Sequence, residues 1–164
     1  MKAMVIYDSV FGNTAHIAQA IGDGFSNGPA APEDVELRKI GDVTPEQLVG
    51  LDVLIVGSPT RSFRPTPATS DFLKSIPKNA LKGVKVAAFD ARFTEEEIDS
   101  QGFLLSTLVN VFGYAAEPIG DRLKKKGGEP VMPPEGFYVD GTEGPLTEGE
   151  LQRAADWARQ ILAK

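Results

Sequence analysis

The sequence predicts an α/β protein built on a doubly wound, five-stranded parallel sheet with helices on both faces. Unbroken apolar runs at Ala3–Tyr7, Val53–Val56 and Val84–Phe89 are typical of strands that are buried on both sides of such a sheet. Amphipathic helical patterns separate these runs, and strands that alternate with helices favour parallel pairing. At 164 residues the chain is long enough for a sizeable core, so we expect residues 1–164 to form a single domain.

The first half of the chain gives the strand order. A hydroxyl-rich loop, Ser9–Thr14, follows the first strand and leads into a helix whose apolar residues Ile17, Ile21 and Phe25 recur every fourth position. The second strand, Val35–Ile40, alternates apolar and polar residues, which indicates a half-exposed strand at a sheet edge. Placing it outside the first strand gives the order 2-1-3-4-5.

Capping signals predict three further helix starts. Thr44 is followed by a proline and by Gln47, which is typical of a short capped helix. Thr66 precedes Pro67 and is expected to cap a helix that continues to Ile76. Thr147 and Glu150 have the spacing of a capping box before the last helix.

The remaining segments are assigned from their composition. Loops are expected at Ser58–Pro67 and Asp90–Glu96, a helix at about Ile98–Val111, a fifth strand at Ala115–Ile119 and a further strand at Gly136–Asp140. The stretch Gly120–Gly136 follows no clear periodicity and stays unassigned.

Charge and composition exclude several classes of function. The net charge of −6 argues against a nucleic-acid-binding surface, and the short basic run Arg122–Lys126 is expected to be a solvated turn. An acidic surface favours partner proteins with basic docking surfaces. The absence of cysteine excludes disulfides and thiolate metal sites and fits a cytoplasmic protein. No apolar run approaches the roughly 20 residues that span a membrane, so no membrane partner is expected.

The loop Ser9–Thr14 has the features of an anion site. It lies between a buried strand and a helix N-terminus, where backbone N–H groups and the helix dipole favour negative charge. In doubly wound sheets, ligands bind beyond the carboxyl ends of the strands. The loops that begin at Ser9, Ser58 and Asp90 are therefore expected to share one crevice. A strand-to-helix turn that merely carries a good cap remains the alternative reading.

At these positions the chain resembles the flavodoxin family, whose members share the predicted strand order. The family signature consists of an apolar pair, an aromatic residue, Ser or Thr, a small residue, Thr, Ala and an aliphatic residue at fixed spacing. It is matched here by Val5, Ile6, Tyr7, Ser9, Gly12, Thr14, Ala18 and Ile21. The resemblance covers nearly the whole chain through the order of strands and loops.

The resemblance implies FMN as the cofactor. It implies contacts from three loops: Ser9, Val10, Phe11, Gly12, Asn13 and Thr14 around the phosphate; Ser58, Pro59, Thr60, Arg61, Ser62 and Phe63, and then Asp90, Ala91, Arg92 and Phe93, around the flavin ring. Ser9 and Thr14 would donate hydroxyl groups, and the residues between them mainly backbone N–H groups. The loop contains no Lys or Arg, so neutral donors and the helix dipole must hold the phosphate.

The ring-binding loops leave alternatives open. Arg61 is expected along the ring edge or in solvent, and Phe63 and Phe93 are expected either to cover the ring faces or to join the core. Asp90 is a candidate acceptor for the flavin N3–H group. The lone histidine, His16, is expected to be a solvated helix residue.

The second loop departs from flavodoxins proper, in which a Trp and a Gly usually stand at the positions of Arg61 and Ser62. Its sequence is more similar to flavodoxin-fold NAD(P)H:quinone oxidoreductases and to the flavodoxin domains of flavo-diiron proteins. Three functions follow as hypotheses: an electron-transfer protein with FMN, an FMN-dependent NAD(P)H reductase of quinones or similar small acceptors, and an interaction scaffold without FMN. The resemblance leaves the oligomeric state open.

Overall fold

A computed structural model of the chain describes residues 1–60, 64–93, 114–141 and 143–164. Within these ranges the strands are β1 (Lys2–Tyr7), β2 (Asp34–Lys39), β3 (Val53–Pro59), β4 (Lys85–Phe93), β5 (Glu129–Pro130) and β6 (Glu135–Val139). The α-helices in the same ranges are α1 (Asn13–Ser26), α2 (Pro67–Ser75), α3 (Ala116–Lys125) and α4 (Glu150–Leu162). Two short 3₁₀ helices lie at Ile40–Asp42 and Pro45–Leu48.

The predicted strand order is confirmed. The sheet runs β2-β1-β3-β4, and both β5 and β6 pair with β4 at the far edge. All pairings between named strands are parallel. The fifth position is therefore filled by two short strands in line, β5 beside Lys85–Val86 and β6 beside Phe89–Phe93.

Alternate residues of the strands feed two separate cores. Val5, Ile55 and Phe89 face a cluster that includes the apolar sides of α1 and α4. Ile6, Val56 and Ala88 face the opposite cluster, which includes residues of α2 and α3. Because side chains of a strand alternate between the faces, strands that are apolar throughout can pack helices on both sides. Among the described residues, no helix is both long enough and apolar enough to cross a membrane.

Two predicted helix caps are confirmed. The Thr44 amide donates to Gln47 Oε1 at 2.9 Å, and the 3₁₀ helix begins at Pro45. Thr66 is the N-cap of α2, which starts at Pro67. The helix predicted at Ile98–Val111 lies outside the described residues.

Strands β3 and β4 extend further at their carboxyl ends than predicted. Ser58 and Pro59 belong to β3 and Asp90–Phe93 to β4, so the loops predicted to begin at Ser58 and Asp90 were wrong at their starts. β6 supplies pairing partners for Asp90–Phe93, which keeps this part of the backbone in the sheet. A buried carboxylate inside a strand is tolerated because Asp90 forms an ion pair with Arg92.

The predicted fifth strand at Ala115–Ile119 was wrong, because this segment begins α3. Ala115, Ile119 and Leu123 are all fully buried and stand four residues apart, which is the helical period. The pattern reads as a helix only when Leu123 is included. The unassigned stretch Gly120–Gly136 contains the rest of α3, then β5, and ends in β6. The run Arg122–Lys126 is therefore the end of a helix and not a turn.

The predicted capping box at Thr147 and Glu150 was also wrong. Gly149, at φ 88°, is the N-cap of α4, and no side chain of the described residues caps this helix. The Thr147 hydroxyl donates to Asp140 at 2.7 Å. The Glu150 carboxylate accepts the Tyr138 amide at 2.8 Å and two hydrogen bonds from Arg153.

Arg153 ties α4 to β6. Its guanidinium also donates to Glu135 at 3.1 Å and to the Gly136 carbonyl at 2.5 Å. Burial alone raises the pKa of the Glu150 carboxyl, but the hydrogen bonds from Arg153 and from the Tyr138 amide outweigh it, so this pKa is lowered. The hydrogen bonds to Glu150 and Glu135 raise the pKa of Arg153 above its ordinary value.

Candidate functional site

The site lies at the carboxyl ends of β1 and β3, where the first loop crosses toward α1. The Asp8 amide donates to the Gly57 carbonyl at 3.1 Å, which joins the two strand ends directly. Gly57 is needed here for packing, because a Cβ on it would overlap the ring of Phe89. The first loop therefore starts from a tightly fixed position.

Four backbone N–H groups of the first loop are available to a ligand. The amides of Val10, Phe11, Asn13 and Thr14 make no hydrogen bond within the part of the chain that the structure describes. They precede or begin α1, where the helix dipole is positive. Unpaired donors at a helix N-terminus are the arrangement that binds phosphate.

Ser9 organises this loop through its side chain. Its hydroxyl oxygen accepts the amides of Gly12 at 3.1 Å and of Ala15 at 3.4 Å. Because both bonds use oxygen lone pairs, the hydroxyl proton remains free to donate to an anion. The Gly12 amide, one of the donors expected from the sequence, is instead used inside the loop.

Gly12 and Thr14 occupy the turn into α1. Gly12 is the N-cap at φ 94°, a left-handed conformation that favours glycine. A Cβ at Gly12 would meet no atom within 4 Å, so the backbone conformation rather than crowding requires glycine. Thr14 is 1% exposed, and its hydroxyl makes no hydrogen bond within the described ranges.

A turn from the C-terminal part of the chain supports the same loop. Gly144, at φ 103°, lies so close to Asn13 that a Cβ on it would be 2.6 Å from Asn13 Oδ1. The turn itself is held by a hydrogen bond of 2.9 Å from the Asp140 amide to the Pro145 carbonyl. Asn13 therefore has a packing partner on this side of the loop.

Asp8 is the residue of the site that sequence reasoning missed. Its carboxylate accepts the Ser9 amide at 2.9 Å and the Thr66 hydroxyl at 2.5 Å. Thr66 Oγ1 also lies 2.8 Å from Thr69 Oγ1. Asp8 thus links the first loop to the start of α2. A polar residue directly after a buried strand was the available signal.

The second loop begins with residues that serve the fold. Ser58 is fully buried, and its hydroxyl accepts the Thr66 amide at 3.0 Å and donates to the Pro59 carbonyl at 2.9 Å. Thr60 Oγ1 accepts the Ala115 amide at 3.1 Å, next to the start of α3. The expected contacts from Arg61, Ser62 and Phe63 lie outside the described residues.

The third segment is a closed polar cluster. Arg92 donates to both carboxylate oxygens of Asp90, at 2.6 and 2.7 Å, and the Ala116 amide donates to the same carboxylate at 2.9 Å. The Arg92 guanidinium lies 3.8 Å from the centre of the Tyr114 ring. Burial raises the pKa of the Asp90 carboxyl above its ordinary value, although Arg92 acts in the opposite direction.

This cluster changes the role expected for Asp90. Its carboxylate is fully buried and already holds three hydrogen bonds, so it does not suit a hydrogen bond to a flavin N3–H group. Ala91 is buried as well, and Phe93 packs against the core cluster of α1 and α4. For Phe93 the geometry favours the packing alternative.

His16 follows the first loop directly, and its amide donates to the Gly12 carbonyl at 3.0 Å. His16 is exposed on α1. In the ranges that the structure covers, no group of three or more His, Cys, Asp or Glu side chains is placed to hold a metal ion.

Comparison with known proteins places the chain beside the flavodoxins. No profile of a known protein family matches the sequence. A flavodoxin from Maridesulfovibrio salexigens is 28% identical over 142 residues, which covers 77% of this chain and 86% of that protein.

Solved structures give the same result for the fold. A flavodoxin from the domain Archaea superposes with a TM-score of 0.74 at 22% identity, covering 99% of this chain and 97% of its own. Oxidised flavodoxin 1 from Bacillus cereus has a TM-score of 0.74 at 15% identity, covering 99% and 98%. Rubredoxin oxygen:oxidoreductase from Desulfovibrio gigas matches 99% of this chain with 35% of its own length, at a TM-score of 0.73 and 17% identity. In sequence this chain is similar to a flavodoxin, and in fold it is similar to flavodoxins and to part of the rubredoxin oxygen:oxidoreductase.

Proposed function

We propose that this protein binds FMN and acts as an electron-transfer protein. The observation that carries the proposal is the set of unpaired donors at the N-terminus of α1, namely four backbone N–H groups and the hydroxyl groups of Ser9 and Thr14. A phosphate dianion needs several donors, and charge-assisted hydrogen bonds to it are stronger than neutral ones. The similarity to flavodoxins supports the same cofactor.

Each part of the first loop has a task in this proposal. Ser9 holds the loop in shape through the Gly12 and Ala15 amides and directs its own proton outward. Asp8 fixes the loop to Thr66, and Gly144 supports it beside Asn13. When bound, FMN supplies the redox chemistry, and the protein supplies its position and surroundings.

The proposed partners are proteins that exchange electrons with the bound cofactor. The net charge of −6 favours partners with basic docking surfaces at the cofactor edge, because opposite charges steer association. The absence of cysteine supports a place in a reducing compartment such as the cytoplasm.

FMN binding is tested by titrating the purified apoprotein into FMN and following the quenching of flavin fluorescence. We expect a saturable 1:1 complex, and inorganic phosphate should compete with FMN because both use the first loop. Protein that leaves FMN fluorescence unchanged at every concentration would support the interaction scaffold and overturn the proposal.

The mode of electron transfer is tested by anaerobic reduction of the loaded protein, followed by visible absorption. For a carrier we expect reduction by an electron-donating protein or by dithionite and no turnover of NADH or NADPH. Direct two-electron reduction by NAD(P)H, followed by reoxidation with a quinone, would instead establish the reductase.

A further inference from the structure

Nearly half of the cations of this acidic protein gather on one surface, which we call the basic end. Eight of the 17 Lys and Arg residues come from two segments, 74–85 and 122–126. The eight are Lys74, Lys78, Lys82, Lys85, Arg122, Lys124, Lys125 and Lys126. No Asp or Glu occurs in either segment. In the sequence the segments are almost 40 residues apart, which is why only the second of them reads as a basic run.

The fold brings the two segments into direct contact. The Leu81 amide donates to the Lys126 carbonyl at 3.0 Å, and Lys126 Nζ donates to the Lys74 carbonyl at 3.3 Å. Gly127 lies against Asn79 and Lys82, so close that a Cβ there would be 3.1 Å from the Lys82 amide nitrogen. The basic end is therefore one continuous surface.

The cations of the basic end form no ion pair within the described residues. Glu129 stands opposite Lys85 where β5 pairs with β4, and Asp121 precedes Arg122 on α3, but neither carboxylate forms an ion pair with these cations. By contrast, Arg38, Arg92, Arg153 and Arg159 each form an ion pair with a carboxylate. Unpaired like charges close together repel one another, and an anionic partner would relieve that repulsion.

Helix dipoles explain only part of this surface. Lys74 lies in the last turn of α2, and Arg122, Lys124 and Lys125 lie in the last turn of α3, where cations are favourable. Lys126 is the C-cap of α3, where a cation is favourable as well. The other three, Lys78, Lys82 and Lys85, lie in the connection between α2 and β4 and at the start of β4. Helix stabilisation gives no reason for a positive charge at those three places.

The basic end lies away from the candidate cofactor site. It surrounds the start of β4, whereas the site lies at the carboxyl ends of the parallel strands. The nine residues of β4 separate these two ends of the sheet by roughly 26 Å, at about 3.3 Å per residue. A partner bound at the basic end would leave the cofactor edge open to a second protein.

We propose that the basic end docks an acidic surface of a protein partner. Seven of the eight cations are lysines, which act as point charges and suit carboxylates spread over a surface. No exposed large apolar side chain of the described chain lies on either segment, as insertion into a membrane would need. Neither segment contains an aromatic residue to stack on bases. The proposal rests on fold and charge, and it does not require that FMN binds.

The test uses fluorescein-labelled poly-L-glutamate and the full-length protein, with binding followed by fluorescence anisotropy at low ionic strength and at about 0.15 M, where the Debye length is about 8 Å. We expect saturable binding that weakens with salt. The double variant Lys78→Glu/Lys125→Glu should raise the Kd by about tenfold or more, because it reverses two exposed charges of the basic end.

The matched control is Lys39→Glu/Lys164→Glu, which makes the same change in net charge at exposed positions outside the basic end. We expect it to change the Kd less than about twofold, with unchanged circular dichroism for both variants. Equal weakening by both double variants, or no binding of poly-L-glutamate, would overturn the proposal. So would tighter binding of the wild type to phosphatidylserine-containing vesicles or to duplex DNA than to poly-L-glutamate.

Discussion

The first loop and the end of β4 lie in the same part of the sheet, but their polar groups are used in opposite ways. In the first loop, the Ser9 hydroxyl proton and four neighbouring amides have no partner among the residues that the structure describes. At the end of β4, the Asp90 carboxylate and the Arg92 guanidinium are bound to each other, and Ala116 caps the same carboxylate. The first region offers donors to a ligand, and the second holds strands and helix together.

This difference teaches that residue type does not decide a binding role. Asp90 and Ser58 have polar side chains at strand ends, yet both are fully buried and their hydrogen bonds are internal. Polar groups that remain unpaired in an ordered backbone are the better indication of a ligand, since buried polar groups are normally satisfied. Substitutions at the end of β4 should therefore lower stability, whereas substitutions in the first loop should lower ligand affinity.

The largest effect is expected for Asp90→Ala. The variant leaves the largely buried Arg92 without its partner, so the free energy of unfolding should fall by about 3–5 kcal/mol. Urea unfolding followed through the lone tryptophan, Trp157, measures the change. Removing both charges in Asp90→Ala/Arg92→Ala should recover part of the loss, whereas a loss below about 1 kcal/mol would show that the cluster does not hold β4.

The next effect concerns affinity. Ser9→Ala/Thr14→Val removes two hydroxyl donors from the proposed phosphate site, and FMN binding should weaken by about 3 kcal/mol, or more than about 100-fold in Kd. Fluorescence quenching of FMN measures the Kd. Ser75→Ala is the control, because the Ser75 hydroxyl donates to the Phe72 carbonyl on α2, away from the first loop. Equal affinity in wild type and double variant would show that the Ser9 and Thr14 hydroxyl groups do not bind the phosphate.

A smaller effect is expected for a substitution at Gly144, because this residue bears both on stability and, through Asn13, on FMN affinity. Gly144→Ala places a Cβ in a left-handed conformation and against Asn13, so stability should fall by about 1–3 kcal/mol and FMN affinity should fall with it. Adding Asn13→Ala should restore affinity but not the stability lost to backbone strain. If the second substitution restores neither, the turn does not support the loop through Asn13.

The smallest effect is a pH dependence of stability that comes from Glu150. Its carboxylate accepts the Tyr138 amide of β6, the strand that pairs with β4. Its pKa is lower in the folded than in the unfolded state, so its stabilisation is present above about pH 4.3 and is lost as the pH falls through the folded-state pKa. Glu150→Gln should have a lower Tm than wild type at neutral pH, and the difference should shrink in acid. A difference that stays constant down to the acid limit would contradict the lowered pKa.

The fold could be predicted from the sequence where a residue pattern is compatible with only one type of secondary structure. The apolar strand Ala3–Tyr7 and the helix after it are confirmed because burial on both faces and a four-residue period are hard to confuse. Ala115–Ile119 was misread because five residues do not separate a strand from a helix, and Leu123 was needed to show the period.

Only the part of the candidate site that consecutive residues form could be predicted from the sequence. Ser9–Thr14 stands in one loop, and its spacing carried the prediction of an anion site. Pairings over long sequence distances were not visible: Asp8 with Thr66, Asp90 with Ala116, and Asn13 with Gly144. The basic run Arg122–Lys126 at the end of α3 was interpreted as a solvated turn for the same reason, because the lysines beside it come from another part of the chain.

The contacts of Arg153 also have a consequence for solubility. β6 lies at the edge of the sheet, and an edge strand with free backbone groups invites another chain to pair with it and to aggregate. Here the outward amides of Gly136 and Tyr138 donate to Glu135 and Glu150, and the Gly136 carbonyl accepts from Arg153. The Tyr138 carbonyl accepts the Thr147 amide at 2.9 Å. These side chains and the Thr147 amide thus occupy the outward backbone groups of β6, so that no further strand can pair there. Glu150 and Arg153, which link α4 to β6, therefore also protect the sheet edge from pairing with another molecule.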